Sequence, residues 1–448
     1  MVASRSRYAP CGFCSKGHTT TMALLDYHRR PHRGRQLRGW GALLTAGALA
    51  LAVATTAAAA PVGVPVGAPG TLAAWGSDSN GQVSYTPRDS DITAVAVGNS
   101  HSVALKADGT LTSWGHNDSG AVWNTPTGGG YTAIAAGTGH SVALKADSTL
   151  TSWGNDEYKQ VTSTPTGGGY TAIAAGSRNS VALKADGSLT AWGNDDYKQV
   201  TNTPAGGGYT AIAVGYGHSV ALKADGTLTS WGVDNFKQVT DTPTGAGYTA
   251  IAAGYGHSLA LKADGTLTSW GVDEYKEVTN TPAGGGYTAI AAGNFHSVAL
   301  KADGTLTSWG NNEGKQVTNT PTGGGYTAIA AGYGHSVALK KATAPTFADV
   351  GPVTLNCVTG TALTRPFAAT GTPAPDVTVV DPAKLPPGTT FANDLITGVP
   401  TLSGTPTAAG RYTFILTANN GVGAPVSLTV KVTVEGPATG SLGPIFGS

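Results

Sequence analysis

Histidine occupies one position in nearly every copy of a repeated segment. The histidines are His101, His140, His218, His257, His296 and His335, and one copy has Asn179 instead. A circle of imidazoles could ligate a metal ion. We expect a structural role instead, because a histidine that begins a strand in each copy can satisfy backbone groups, and neighbouring copies lie too far apart to share a metal. The sequence therefore predicts no metal site.

The chain has no recognisable catalytic motif. It contains no nucleophile elbow, no H-E-x-x-H and no phosphate-binding Gly-Lys loop. The repeated Ala-Asp-Gly aspartates fit turn chemistry; they are Asp108, Asp186, Asp225, Asp264 and Asp303. Catalysis needs a few unlike groups that converge once, whereas near-identical copies present the same groups repeatedly. We therefore predict a protein that is not an enzyme and uses no cofactor.

Aromatic residues occupy positions that vary between the copies. One set lies in the connection between the first and second strands: Tyr216, Tyr255, Phe295 and Tyr333. A second set follows the third strand: Tyr158, Tyr197, Phe236 and Tyr275. In an antiparallel unit these first and third connections emerge on the same face. Exposed Tyr and Phe on rigid loops are typical of protein-recognition surfaces, and the alternative is packing between adjacent loops.

The elements that carry these residues repeat every 39 positions. Trp-Gly recurs at Trp75, Trp114, Trp153, Trp192, Trp231, Trp270 and Trp309, and residues 69–341 equal seven repeats. One copy predicts four short strands with an Asp-Gly hairpin between the middle two, at Thr249–Gly254, His257–Lys262, Thr266–Trp270 and Val278–Asn280. Four strands in about 40 residues are typical of a propeller blade. Because the array starts and stops in mid-repeat, we predict an all-β, seven-bladed β-propeller with split-blade closure.

The repeated motifs resemble those of a known family. The pattern G-x-x-H-S-[VL]-A-L-K followed by D-G-T-L-x-[SA]-W-G resembles the regulator of chromosome condensation repeat. The short copies are most similar to secreted propellers that inhibit β-lactamases. In those inhibitors the same two loops supply aromatic and acidic contacts to the enzyme, so the resemblance implies a protein-binding face. The first two copies depart from this pattern, with Asn80, Asn99, Ser119 and Thr138 and only Trp123 nearby.

Residues 1–60 form a predicted leader with a secretory signal peptide, and 61–68 form a linker. Eight basic residues and one acidic residue precede the apolar run Gly41–Thr56, which is short for a membrane span. An uncleaved anchor is the alternative, and the leader's Cys11, Cys14 and His18 are a weak metal candidate.

From Pro61 onward the chain has 19 basic residues and 25 acidic ones, a net charge of −6. That sign argues against nucleic acid as a partner.

The period ends after residue 341, and a different composition follows a linker at 342–346. Leu402–Pro406 (LSGTP) and Gly410–Phe414 (GRYTF) resemble the immunoglobulin-like, cadherin/dystroglycan-type domains of bacterial surface proteins. The resemblance implies an immunoglobulin-like β-sandwich over 347–436, which in such proteins is usually a spacer. Calcium is a lesser possibility, because Asp376, Asp381 and Asp394 are dispersed. We predict a flexible tail at 437–448.

These patterns together favour a secreted, non-catalytic protein that binds through one aromatic face. The expected partner is another extracellular or cell-wall protein, with a β-lactamase-like or cell-wall enzyme favoured by the resemblance. The alternative is a surface adhesin that binds carbohydrate, in which the same aromatic rings stack on sugars. We expect no membrane span after signal cleavage.

Overall fold

A computed structural model describes residues 69–437, so the predicted leader, the 61–68 linker and nearly all of the predicted tail lie outside the described residues. The described chain is all-β, with one short 3-10 helix. The repeat region contains these strands: β1 (Gly70–Gly76), β2 (Ile92–Val97), β3 (His101–Lys106), β4 (Leu111–Gly115), β5 (Tyr131–Ala136), β6 (His140–Lys145), β7 (Leu150–Gly154), β8 (Tyr170–Ala175), β9 (Asn179–Lys184), β10 (Leu189–Gly193), β11 (Tyr209–Val214), β12 (His218–Lys223), β13 (Leu228–Gly232), β14 (Tyr248–Ala253), β15 (His257–Lys262), β16 (Leu267–Gly271), β17 (Tyr287–Ala292), β18 (His296–Lys301), β19 (Leu306–Gly310), β20 (Tyr326–Ala331) and β21 (His335–Lys341).

The strands form antiparallel sets of three that we call units. Strands β2–β4, β5–β7, β8–β10, β11–β13, β14–β16 and β17–β19 are consecutive in the chain. The remaining unit combines both ends of the array, because β1 pairs with β21 along its whole length, from Gly70 opposite Lys341 to Gly76 opposite His335. A single pair, Gly70 with Ile92, also joins this unit to β2–β4.

The predicted fourth strand of each copy is wrong. Val278–Asn280 forms a turn rather than a strand. The backbone N–H groups of Val278 and Thr279 donate to Asp273 Oδ1, both at 2.8 Å, and Asn280 N–H donates to the Lys276 carbonyl at 3.1 Å. These local bonds satisfy the groups that a fourth strand would have used in a ladder.

Apolar side chains fill the space between adjacent units. In one such cluster Trp231 and Ile212 of one unit pack with Leu183 of the preceding unit, and all three are buried. Six of the seven repeated tryptophans also donate their indole N–H to a backbone carbonyl 32 residues earlier, as from Trp231 to Gln199 at 3.0 Å. Trp75 donates to Gln316 at 2.8 Å, across the two ends of the array. Each tryptophan therefore joins its own unit to a neighbour.

Glycines hold the inner ends of the first strands together. The set is Gly98, Gly137, Gly176, Gly215, Gly254, Gly293 and Gly332. At each one, a side-chain carbon would overlap the carbonyl oxygen of the next glycine in the set, and Gly332 faces Gly98 in the same way. Together with neighbouring alanines and valines they line a central opening.

The repeated histidines form hydrogen bonds between units rather than with backbone groups, which corrects the role predicted for them. Each Nε2 lies 2.7–2.9 Å from the Oγ of a serine in the next unit, and all are buried. His335 bonds to Ser102 and so links the two ends of the array. The only interruption among these units is at Asn179, where neither Asn179 nor Ser219 has a side-chain partner and both are fully buried.

The second region surrounds one core with two facing sheets. Its strands are β22 (Thr343–Phe347), β23 (Val353–Val358), β24 (Leu363–Pro366), β25 (Ala369–Thr372), β26 (Asp376–Val379), β27 (Thr389–Asn393), β28 (Pro400–Gly404), β29 (Gly410–Asn419) and β30 (Val426–Glu435), with a 3-10 helix at Pro382–Lys384. The sheet orders are β23-β30-β29-β26 and β24-β28-β27, and β22 pairs with β25. Leu402 of one sheet packs with Phe414 and Val430 of the other. Strand β22 includes residues 343–346 of the segment predicted as a linker, and it pairs with β25.

We expect acid to unfold the repeat region. Burial lowers the pKa of His101, His218 and His296 from 6.5 to about 4, and that of His140, His257 and His335 to about 3. Below pH 6.5 the unfolded chain therefore binds protons that the folded chain excludes, so stability is complete above pH 6.5 and falls as the pH decreases towards 4. Six such groups cost roughly 8 kcal/mol per pH unit, which is comparable to the whole stability of a domain. Circular dichroism should show a cooperative loss of the β-sheet signal near pH 5. A melting temperature that is unchanged at pH 4 would contradict the lowered pKa values of the histidines.

Asn179→His should stabilise the protein by restoring the interrupted hydrogen bond to Ser219. The gain should be about 1 kcal/mol, since one hydrogen bond forms and two unpartnered buried groups disappear. The new ring fits, because Val214 beside Asn179 corresponds to Val97 beside His335, where a histidine is already present. Denaturant unfolding measures the change, with His140→Asn as the reverse control. A loss of stability in Asn179→His would show that the site has another role.

Candidate functional site

The first and third connections meet on one face, as predicted. Tyr275, which follows β16, contacts Phe295 between β17 and β18, with the ring centroids 5.4 Å apart. Phe236, which follows β13, lies 6.5 Å from Tyr255 between β14 and β15. These contacts join residues of different units and of both connection types. The face therefore carries both predicted sets of aromatic residues.

Five of the eight predicted residues form one continuous group, which we call the aromatic cluster. Its members are Tyr216, Phe236, Tyr255, Tyr275 and Phe295. Tyr255 is central, with Tyr216 at 4.6 Å and Phe295 at 5.0 Å on either side. Phe236 keeps 44% of its surface exposed, whereas Tyr255 is half-buried. The rings thus pack against one another and also present an apolar surface to solvent. Packing between adjacent loops and an exposed surface suited to recognition, the two alternatives considered for these residues, are therefore both present.

The other three predicted residues lie on the same kinds of connection but outside this cluster. Tyr158 accepts a hydrogen bond from Arg178 at 2.9 Å and lies under its guanidinium group. Tyr197 packs on Gly217 and remains 46% exposed. Tyr333 is 53% exposed and lines the mouth of the central opening with Tyr216.

Two exposed aromatic residues were not predicted as site residues. Trp123 is 86% exposed and Tyr85 is 71% exposed. Both occur in third connections of copies whose sequence departs from the consensus. The signal that could have identified them is an aromatic residue at positions where the other copies have Thr, Ser, Asn or Asp.

The third connections hold their aromatic residues rigidly. The backbone N–H of Phe236 donates to Gln238 Oε1 at 2.8 Å, and Asp234 Oδ1 accepts two further backbone N–H groups from the same turn. Lys237 has a positive φ of 60°, a conformation that L-residues adopt at a cost. The buried Gln238 side chain and the turn together fix where the ring points.

The cluster has an acidic edge. Glu313 and Glu274 raise the pKa of Tyr275 by their negative charge. Burial, followed by the nearby Tyr216 and Tyr197, raises the pKa of Tyr255. Both hydroxyl groups are therefore neutral at physiological pH and can donate hydrogen bonds.

The fold of the repeat region is shared with known proteins. The family model of the regulator of chromosome condensation (RCC1) repeat matches residues 92–121, 131–160, 170–199, 209–238, 248–276 and 287–316. The crystal structure of Prp20p from Saccharomyces cerevisiae superposes with a TM-score of 0.52 and 23% identity, over 62% of this chain and 92% of that one. The chain contains an RCC1-like β-propeller.

A second structure supports the same fold. Yeast RCC1 (Prp20) in its complex with Kap60 is 22% identical, with a TM-score of 0.52, and the match covers 70% of this chain and 96% of that one. No match was found among curated proteins. From here on, each unit of the propeller is called a blade.

No three or more His, Cys, Asp or Glu side chains between residues 69 and 437 are grouped so as to hold a metal ion. No helix in that range is long and apolar enough to cross a membrane.

Glu277 differs from the residue that most other blades have at the same position of the third connection. The corresponding residue is glutamine in five other blades: Gln82, Gln160, Gln199, Gln238 and Gln316. Glu277 Oε2 accepts the backbone N–H of Tyr275 at 2.8 Å, but Oε1 is buried without a partner. Burial raises the pKa of this carboxyl group. A buried, half-satisfied carboxyl group therefore lies directly under the aromatic cluster.

Glu277→Gln should stabilise the propeller while keeping the bond to Tyr275. Because the folded pKa of Glu277 is raised, its carboxylate opposes folding increasingly as the pH rises above 4.5. The substitution should therefore add about 1 kcal/mol at pH 7, with a smaller gain near pH 4.5. Thermal unfolding between pH 4.5 and pH 7 measures the difference, with Gln238→Glu as the matched reverse change. A difference that does not grow as the pH rises above 4.5 would contradict a raised pKa for Glu277 in the folded protein.

Proposed function

We propose that this chain is a non-catalytic protein that binds another protein through the aromatic cluster. The observation that supports the proposal is the packing of Tyr216, Tyr255 and Phe295 into a continuous apolar surface with centroids 4.6–5.0 Å apart. Large aromatic side chains that are already held in place lose little conformational freedom on binding. Hydroxyl groups and carboxylates at the edge of the cluster add hydrogen-bonding specificity. The surface has the composition of a protein-recognition site.

We further infer that the propeller has seven blades and closes through the blade made from both ends of the chain. Three series of contacts between blades support this count. The glycine contacts return from Gly332 to Gly98, the histidine bonds from His335 to Ser102, and the indole bonds from Trp75 to Gln316. Such closure pairs β1 with β21, each of which would otherwise be a free edge at one end of the array, and gives the connections a rigid support.

The partner that we propose is extracellular or cell-wall associated. The signal-like leader and the resemblance to secreted inhibitor propellers support secretion, and a β-lactamase-like or cell-wall enzyme is the favoured target. The second region, proposed as an immunoglobulin-like spacer, would hold the propeller away from an attachment point. Prp20p binds Gsp1p and histones, which is consistent with protein ligands for a propeller of this fold. The acidic net charge beyond the leader supports a partner other than nucleic acid.

Tyr255→Ala combined with Tyr275→Ala should weaken partner binding by at least about a hundredfold. Each residue is expected to contribute about 2 kcal/mol as a central anchor. The wild-type chain, immobilised, would capture its partner from the culture medium of the source organism, and biolayer interferometry would compare the variants with the purified partner. Tyr85→Ala combined with Trp123→Ala removes two more exposed rings that lie outside the cluster and should bind normally.

The melting temperature separates loss of contact from loss of folding. The double variant should melt only about 2–4 °C lower, because its rings are partly exposed. Normal binding by the double variant would contradict the proposal, as would a large fall in melting temperature. A β-lactamase panel tests the favoured target, and capture of cell-wall glycan alone would favour the carbohydrate-binding alternative.

A further inference from the structure

In several blades an aromatic ring in the third connection covers one residue of the following blade. The covered residue comes immediately before the strand that begins with His, or with Asn179. Tyr197 packs on Gly217 and Phe236 on Gly256, in each case close to where a side-chain carbon would be. Tyr275 contacts Phe295 and Tyr158 contacts Arg178 at the same two positions. The arrangement therefore repeats in four blades.

Three blades have no ring at this position, which Asn80, Ser119 and Gly314 occupy instead. Ser119 occupies the position of the aromatic residue, and its Oγ lies 3.7 Å from where a side-chain carbon of Gly139 would be. A hydroxymethyl group cannot fill the space that a phenol ring fills elsewhere. A cavity of about 260 Å³ lies beside Ser119. It is large enough to admit a six-membered ring.

The cavity combines small apolar groups with polar walls. Gly139 and Ala121 contribute small surfaces, and its polar lining includes His116, Glu157 and Arg178. The guanidinium group of Arg178 is 4.7 Å from the centre of the Tyr158 ring and donates to its hydroxyl group. The same cation thus already binds a phenol within the chain. Glu157 supplies an acceptor for a phenolic O–H.

We propose that this cavity binds a phenol ring, which takes the place that Tyr197 and Tyr275 occupy in their own blades. The ring would lie on Gly139 beside Ser119, with its hydroxyl group within reach of Glu157 and Arg178. A tyrosine of another protein or a free phenol could present this chemistry. The site is separate from the aromatic cluster, so the proposal does not depend on the proposed function.

The test titrates the full chain with N-acetyl-tyrosinamide and follows backbone amide signals by NMR. Binding with a dissociation constant of about 1 mM is expected for a ligand of this size, with the largest changes at Ala121, Gly139 and Asn155. N-acetyl-phenylalaninamide should bind several-fold more weakly because it lacks the hydroxyl group. Equal binding of the two would overturn the phenol assignment. If the tyrosine amide binds more tightly than p-cresol, the ligand of the cavity is a tyrosine of another protein. If the two bind equally, the ligand is a free phenol.

Ser119→Tyr fills the cavity with the residue found in other blades and should reduce binding at least tenfold. Gly314→Tyr introduces the same ring at the equivalent position of another blade, away from the cavity, and should bind as the wild type does. Binding unchanged in Ser119→Tyr would overturn the proposal, provided that the variant melts normally. If that variant does not fold, intermolecular NOEs from the wild-type Ala121 methyl to the probe ring decide the matter. Their absence at saturation, or no binding at about 20 mM probe, would equally overturn it.

Discussion

The close approach of neighbouring first strands at their inner ends is the constraint on which this propeller depends. A side-chain carbon at any of the seven inner glycines would overlap the carbonyl oxygen of the next blade. Because the glycines have no side chain, the blades come near enough for His101 and its equivalents to reach a serine across the boundary. The tryptophans can then close the wider gaps further out. A larger residue at one glycine would disturb all three sets of contacts together.

The same geometry explains why the interior tolerates so many polar groups. A buried imidazole is unfavourable unless it is hydrogen-bonded, and each histidine obtains a partner only because the next blade presents a serine at the matching depth. Two residues that depart from the repeat, Asn179 and Glu277, have buried side-chain atoms without a partner, and so do the Nδ1 atoms of five of the histidines. Repetition therefore gives the Nε2 atom of each histidine a serine partner, and the single change at Asn179 removes one such bond and leaves Ser219 unpartnered.

Function in such an array arises from what differs between blades. The strands are nearly identical, so the specificity of the face depends on single positions in the first and third connections. Where Tyr275 and Phe236 are present, rings cover the next blade and merge into the aromatic cluster. Where Ser119 replaces them, the same site is a polar cavity. The residue at this one position of the third connection thus determines whether the surface there is an apolar projection or a cavity.

The sequence alone determined the repeat length, the three strands of each copy and the shared face of both aromatic sets. These follow from local periodicity, Asp-Gly turns and strand alternation, which need no knowledge of distant contacts. It also predicted a fourth strand at Val278–Asn280, where Asp273 captures the backbone groups instead. Only the tertiary structure decided that His101 and its equivalents bond to serines, that five of eight aromatic residues touch, and that a cavity lies beside Ser119. Those features depend on distances between blades 39 residues apart in the chain, and local sequence patterns contain no measure of such distances.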